Sequence, residues 1–132
     1  MKIRLERVFM ALALPTSIVC AVIPARAAEA IPHAFYVADY QEMVKGGIRP
    51  YSERVESTFK LYSGRYVVRG GEVQPLEGDA PKGRMVVIEF DSLTQARAWY
   101  DSPEYSAIRP IRQQSGKTNA YIVEGSVAAP HS

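Results

Sequence analysis

The chain has 132 residues, which bounds it to one domain. Its formal charge is +2, and no Lys/Arg block lies beyond the N-terminal segment, so nucleic acid and an anionic membrane are not expected as partners. Its one cysteine, Cys20, excludes a disulfide framework and a cysteine metal site.

The first 27 residues have the layout of a secretory signal peptide. Lys2, Arg4 and Arg7 form a basic start. Val8 to Ile23 is apolar apart from Pro15, Thr16 and Ser17, and Ala25-Arg26-Ala27 is a small-residue cleavage site, with Ala28-Glu29-Ala30 as a second choice. The rival reading is a retained anchor, but the apolar run is shorter than the roughly 20 residues of a spanning helix and contains Pro15. Val19 before Cys20 disfavours lipidation, and no twin-arginine pair is present. The expectation is export, to the periplasm or the exterior, with no stable membrane anchor afterwards. Cleavage removes Cys20 and four basic residues against one acid, so the mature charge becomes −1.

Residues 28–33 read as a short extension, 34–125 as the folded domain, and 126–132 as a disordered tail. Ala34 to Gln41 is rich in aromatic and β-branched residues and reads as a strand. Phe35, Val37 and Asp39 point one way, and Ala34, Tyr36, Ala38 and Tyr40 the other. After Gly46-Gly47, Tyr51, Val55, Phe59 and Tyr62 recur at helical spacing, predicting one helix from about Pro50 to Tyr62 that Gly64 ends. Arg65 to Leu76 reads as a second strand, with a bulge or bend at Gly70-Gly71. The loop Gly78 to Gly83 leads to a third strand, Arg84 to Phe90, with Val86, Ile88 and Phe90 on one face and Met85, Val87 and Glu89 on the other.

Ser92-Leu93-Thr94-Gln95 is a capping box that starts a second helix. Ser102-Pro103-Glu104-Tyr105 restarts it with a serine cap and proline in the first turn. Pro110 is expected to kink or shorten this piece, and Gly116 to close it. Ala120 to Glu124 reads as the fourth strand. The order β-α-β-β-α-β predicts an α+β, ferredoxin-like fold with a four-stranded, antiparallel-type sheet and helices on one face. The bare sheet face carries Tyr, Phe, Met and Val, so two sheets are expected to pack together in a homodimer.

No metal cluster, catalytic triad, phosphate loop or G-x-G-x-x-G fingerprint is present, so no metal or cofactor is expected. The sharpest constellation is Asp39, Arg69 and Glu89. With the first and third strands taken as parallel neighbours, both carboxylates fall near the same strand ends on the helix-free face, with Arg69 opposite Glu89. Such a group can anchor a polar ligand, act as an acid–base pair, or simply form an ion pair at a barrel mouth. A bulge at Gly70 would reverse the face of Arg69. Tyr36, Tyr66, Trp99, Tyr100, Tyr105 and Tyr121 can line an apolar pocket or fill a core. Arg109 and Arg112 suit the dipole at the end of the second helix.

Certain phrases stand out together: Gly64-Arg65-Tyr66 with Arg69-Gly70-Gly71, Leu76-Glu77-Gly78-Asp79, Val87-Ile88-Glu89-Phe90, Trp99-Tyr100, Ser102-Pro103-Glu104-Tyr105 and Val123-Glu124-Gly125. With them the segment from about Ala34 to Gly125 resembles the domain-of-unknown-function 1330 family, within the dimeric α/β-barrel superfamily. The resemblance implies a dimeric α/β barrel and brings no established activity. Two places depart from it: Tyr62-Ser63 stands where members often carry histidine and glycine, and Gly47-Ile48-Arg49-Pro50 replaces an acidic, proline-containing helix start.

Three functions follow for comparison. The first is an exported homodimer that binds a small, partly apolar molecule, with Asp39, Arg69 and Glu89 as polar contacts and Tyr36 and Tyr66 beside them. The second is a cofactor-independent enzyme, like dimeric-barrel monooxygenases or isomerases, which needs a carboxylate of raised pKa facing an enclosed cavity. The third is a structural module whose sheet face only dimerises.

Overall fold

The computed structural model describes residues 11–15, 17–23 and 28–127. The basic start of the leader, its Ala25-Arg26-Ala27 site and the tail beyond Val127 lie outside the described residues. Residues 11–15 and 17–23 are exposed and carry no regular secondary structure. Among the described residues no helix is long and apolar enough to cross a membrane.

Among the described residues eight elements follow in order: β1 Ala34–Glu42, α1 Arg49–Ser52, α2 Val55–Lys60, β2 Arg65–Arg69, β3 Arg84–Phe90, α3 Leu93–Tyr100, α4 Pro103–Ser115 and β4 Gly116–Glu124. The strands form one sheet in the order β2-β3-β1-β4, with every neighbouring pair antiparallel. The α1–α2 and α3–α4 pairs pack on one face. This is the ferredoxin-like arrangement expected from the element order.

One part of the expected topology is corrected: β1 and β3 are antiparallel, not parallel. The reason lies in the connections. The helical crossover returns the chain so that β2 runs with β1. The β2–β3 hairpin then reverses direction, so β3, which lies between them, opposes both.

The first predicted helix is two pieces. At the break the Arg54 N–H bonds to the Tyr51 carbonyl three residues back, a tightened turn. The apolar stripe crosses the break, since Tyr51, Val55 and Phe59 are all buried. The second strand stops at Arg69 instead of Leu76. Gly70 takes a left-handed φ of 68°, which turns the chain out of the ladder. Beyond it Pro75 has no N–H to donate, and Leu76 is 92% exposed. Pro110 does not shorten α4, which runs unbroken to Ser115. Buried Tyr105, Ile108, Arg112 and Ser115 hold this helix along its length. Gly116 closes α4 as expected and also opens β4, four residues before the expected start at Ala120.

Both serine caps form as expected. Ser92 Oγ accepts from Gln95 N–H at 3.1 Å, and Ser102 Oγ from Tyr105 N–H at 3.2 Å. The core centres on Trp99, which is fully buried. Its ring meets Tyr36 edge-on at 5.1 Å, lies 5.3 Å from Phe90 and 4.1 Å from Tyr105, and its Nε1 donates to Thr58 Oγ1 at 3.0 Å. The alternation of β1 holds: Ala34, Tyr36, Ala38 and Tyr40 are buried under the helices. The opposite sheet face carries Phe35, Val37, Val68, Met85 and Val87, none of them fully buried, with Tyr121 and Val123 60% and 47% exposed.

Candidate functional site

The antiparallel register separates the expected constellation. Asp39 pairs with Met85, and Glu89 with Phe35. The two carboxylates share the open face but sit four residues apart along β1, about 13 Å at strand rise. Each has its own work. Asp39 accepts the N–H of Gly83 at 2.7 Å and of Lys82 at 3.1 Å, which pins the start of β3 to β1. Glu89 accepts from His33 Nδ1 at 2.6 Å and from Arg65 Nε at 3.0 Å, and Arg65 also reaches Asp91 at 3.1 Å. Arg69 is not opposite Glu89, because it pairs with Val86.

Glu89 therefore does not meet the requirement of the acid–base reading. The hydrogen bond from His33, followed by that from Arg65, holds its carboxyl below the usual carboxylate range, where an acid–base role needs it raised. The sign of the pH effect follows. A folded pKa below the unfolded one gives stability that is fully present above about pH 4.3. That stability is lost as pH falls through the lowered folded value. Urea unfolding between pH 6 and pH 3 should show a shallower acid loss for Glu89→Gln than for the wild type. An identical slope would mean that the pairing adds nothing.

Arg69 instead belongs to the helix side. The register shifts between Tyr66 and Val68, a bulge that puts Tyr66 and Arg69 on the same face. The reversal arises there, upstream of the expected Gly70. The Arg69 guanidinium lies 4.7 Å over the Tyr66 ring and 3.7 Å from Glu56.

This side holds a cavity of about 460 Å³ between the sheet and the α1–α2 segment. Tyr36, Tyr66 and Arg69 line it, whereas Asp39 and Glu89 do not. Ala38, Val86 and Ile88 supply apolar sheet wall, and Ile48, Tyr51 and Val55 the opposite wall. Lys82, Arg69 and Arg84 are exposed at its rim. Burial, with Tyr105 beside them, pushes the Tyr36 and Tyr51 hydroxyls up, so both stay neutral donors across ordinary pH. Tyr51 already shares a hydrogen bond with Tyr105 at 3.2 Å.

The residue missed by sequence reasoning is Arg112. It is 6% exposed and lines the cavity, whereas its place near the helix end suggests only a cation suited to the dipole. A signal existed: Arg112 lies four residues after Ile108 and seven after Tyr105, on the buried stripe of α4. Burial works against its charge; the Coulombic pull of Tyr36, Tyr105 and Tyr51, which these phenols exert only once ionised, and a side-chain hydrogen bond with Tyr105 act the other way, and the net direction is upward. Among the described residues no group of three His, Cys, Asp or Glu side chains can hold a metal.

The chain matches the family described as "Domain of unknown function (DUF1330)" over residues 33–126. No curated protein matches it in sequence. In structure it is similar to a protein of unknown function from Rhodopseudomonas palustris, at 10% identity and a TM-score of 0.58, covering 73% of this chain and 84% of that one. It is also similar to a conserved protein from Methanosarcina mazei Go1, at 15% identity and a TM-score of 0.50, covering 74% and 96%. At these identities the likeness extends to the fold alone.

Proposed function

The chain belongs to the DUF1330 family, and from that premise we propose that it binds a small, partly apolar molecule in the cavity between the sheet and α1–α2. One observation carries this reading: a 460 Å³ space walled by aromatic and aliphatic side chains and rimmed by polar ones. Its size falls within the roughly 300–1,000 Å³ common for ligand pockets. Neutral 2-naphthamide is a suitable probe by calorimetry. Ser52 is half-buried on the helix wall, so Ser52→Trp should fill the space while the fold survives. The expected outcome is at least a tenfold loss of affinity, the scale of removing good apolar contacts. Equal affinity in a folded Ser52→Trp protein would place binding elsewhere.

The same proposal includes an exported homodimer joined through the open sheet face. What supports the dimer is the apolar strip of Phe35, Val37, Val87 and Tyr121, which one layer of helices leaves uncovered. What supports export is the leader pattern of residues 1–27. One native mass spectrum of the exported protein checks both. It should show a chain starting at Ala28 and twice the single-chain mass, and Val37→Lys should give the single-chain mass. A wild-type protein that stays single at micromolar concentration would overturn the dimer.

A further inference from the structure

We propose that the cavity takes a monocarboxylic acid on a flat apolar body, its carboxylate held by Arg112 and the Tyr36 hydroxyl. The inference rests on the binding reading above and adds the chemistry of the head group.

A guanidinium carries five N–H donors and no acceptor. Arg112 is almost wholly removed from solvent, and its Nε is buried without a partner. None of the ion pairs among the described residues includes it. Its neighbours are hydroxyls, which supply no counter-charge. A buried cation ordinarily has an anion beside it, because leaving water without one is costly. The Tyr36 hydroxyl is a second buried polar group without a partner, and both residues line the same cavity. They are also close enough for the Arg112 charge to oppose the upward push on Tyr36.

Two buried donors without partners, on side chains that line one partly apolar space, match one anion. A carboxylate offers two oxygens in a plane, suited to an arginine edge and a phenol together. One inner cation matches one negative charge. The rim adds direction: Lys82, Arg69 and Arg84 are cationic, while Glu42 is the acid among the lining residues and accepts the Gly46 N–H at 2.6 Å. Such a rim draws anions towards the opening. Tyr36, Tyr51 and Tyr66 among the lining residues favour an aromatic body.

Calorimetry with naphthalene-2-carboxylate and 2-naphthamide tests this on the intact wild-type protein, since the pair differ little in shape. The acid should bind about tenfold or more tightly than the amide, as hydrogen bonds to charged groups do. Folded Arg112→Gln should abolish that preference, bringing the acid and amide affinities of the variant within about twofold of each other. Equal affinity of acid and amide for the wild type would overturn the carboxylate assignment and leave the binding reading standing. Binding of neither would overturn both. If Arg112→Gln does not fold, Arg112→Lys and Tyr36→Phe take its place. Each should lower the acid preference severalfold, and an unchanged preference in both would overturn the assignment.

Discussion

Trp99→Ala should lower the unfolding free energy by about 3–5 kcal/mol, the usual cost of emptying a buried aromatic site. A domain of this size has only about 5–15 kcal/mol in total, so the variant should sit near the edge of folding. Trp99, on α3, joins four other elements across the sheet and helix layers. It contacts Tyr36 from β1, Phe90 from β3, and Tyr105 from α4, and it donates to Thr58 on α2. Thr58 in turn donates to the Val55 carbonyl at 2.6 Å, so deleting the indole leaves a buried hydroxyl with one partner fewer. Urea unfolding measures the effect. Trp99→Phe should recover most of the loss, because it keeps a ring while giving up the N–H bond worth about 1 kcal/mol. A Trp99→Ala loss below about 1 kcal/mol would mean that the pocket walls close around the gap. The consequence reaches the cavity, because Tyr36 and Tyr105 flank Arg112 and both lean on Trp99.

Gly83→Ala should cost about 1–3 kcal/mol, the range for forcing extra volume into a packed place. A Cβ at Gly83 would overlap the Tyr40 carbonyl, and backbone cannot swing aside as a long side chain can. The Gly83 N–H is also held by Asp39 at 2.7 Å, so the loop has little room to retreat. Thermal unfolding should show a Tm lower by about 4 °C or more. Gly83 and Tyr40 both line the cavity, so 2-naphthamide binding should weaken in parallel. An unshifted Tm would show that β1 and β3 can part locally at no cost. Asp39→Asn should be milder, because the amide oxygen still accepts one of the two N–H groups. Asp39 is then understood as a backbone clamp beside the site rather than as part of it.

Periodicity makes the layers legible in the sequence. The alternation of Ala34, Tyr36, Ala38 and Tyr40 identified the buried face of β1, and the Tyr51-Val55-Phe59 spacing survived a break in its helix. Two serine caps placed α3 and α4 correctly. Of the five expected site residues, Tyr36, Tyr66 and Arg69 reach one cavity, while Asp39 and Glu89 serve the open face. The misplacement came from strand direction, which reverses which ends of β1 and β3 are neighbours. A side-chain alternation of two reports face and says nothing about direction.

The chain by itself determined the element order, the buried face of β1 and the two serine caps. These follow from short-range rules in which each residue's neighbours in sequence are its neighbours in space. Tertiary structure alone decided three things: the antiparallel pairing of β1 with β3, the bulge that turned Arg69 to the helix side, and the gathering of three tyrosines from separate elements around Arg112. Each depends on contacts between segments far apart in sequence. A lone arginine on a helix reads the same whether its last turn meets water or closes over three tyrosines.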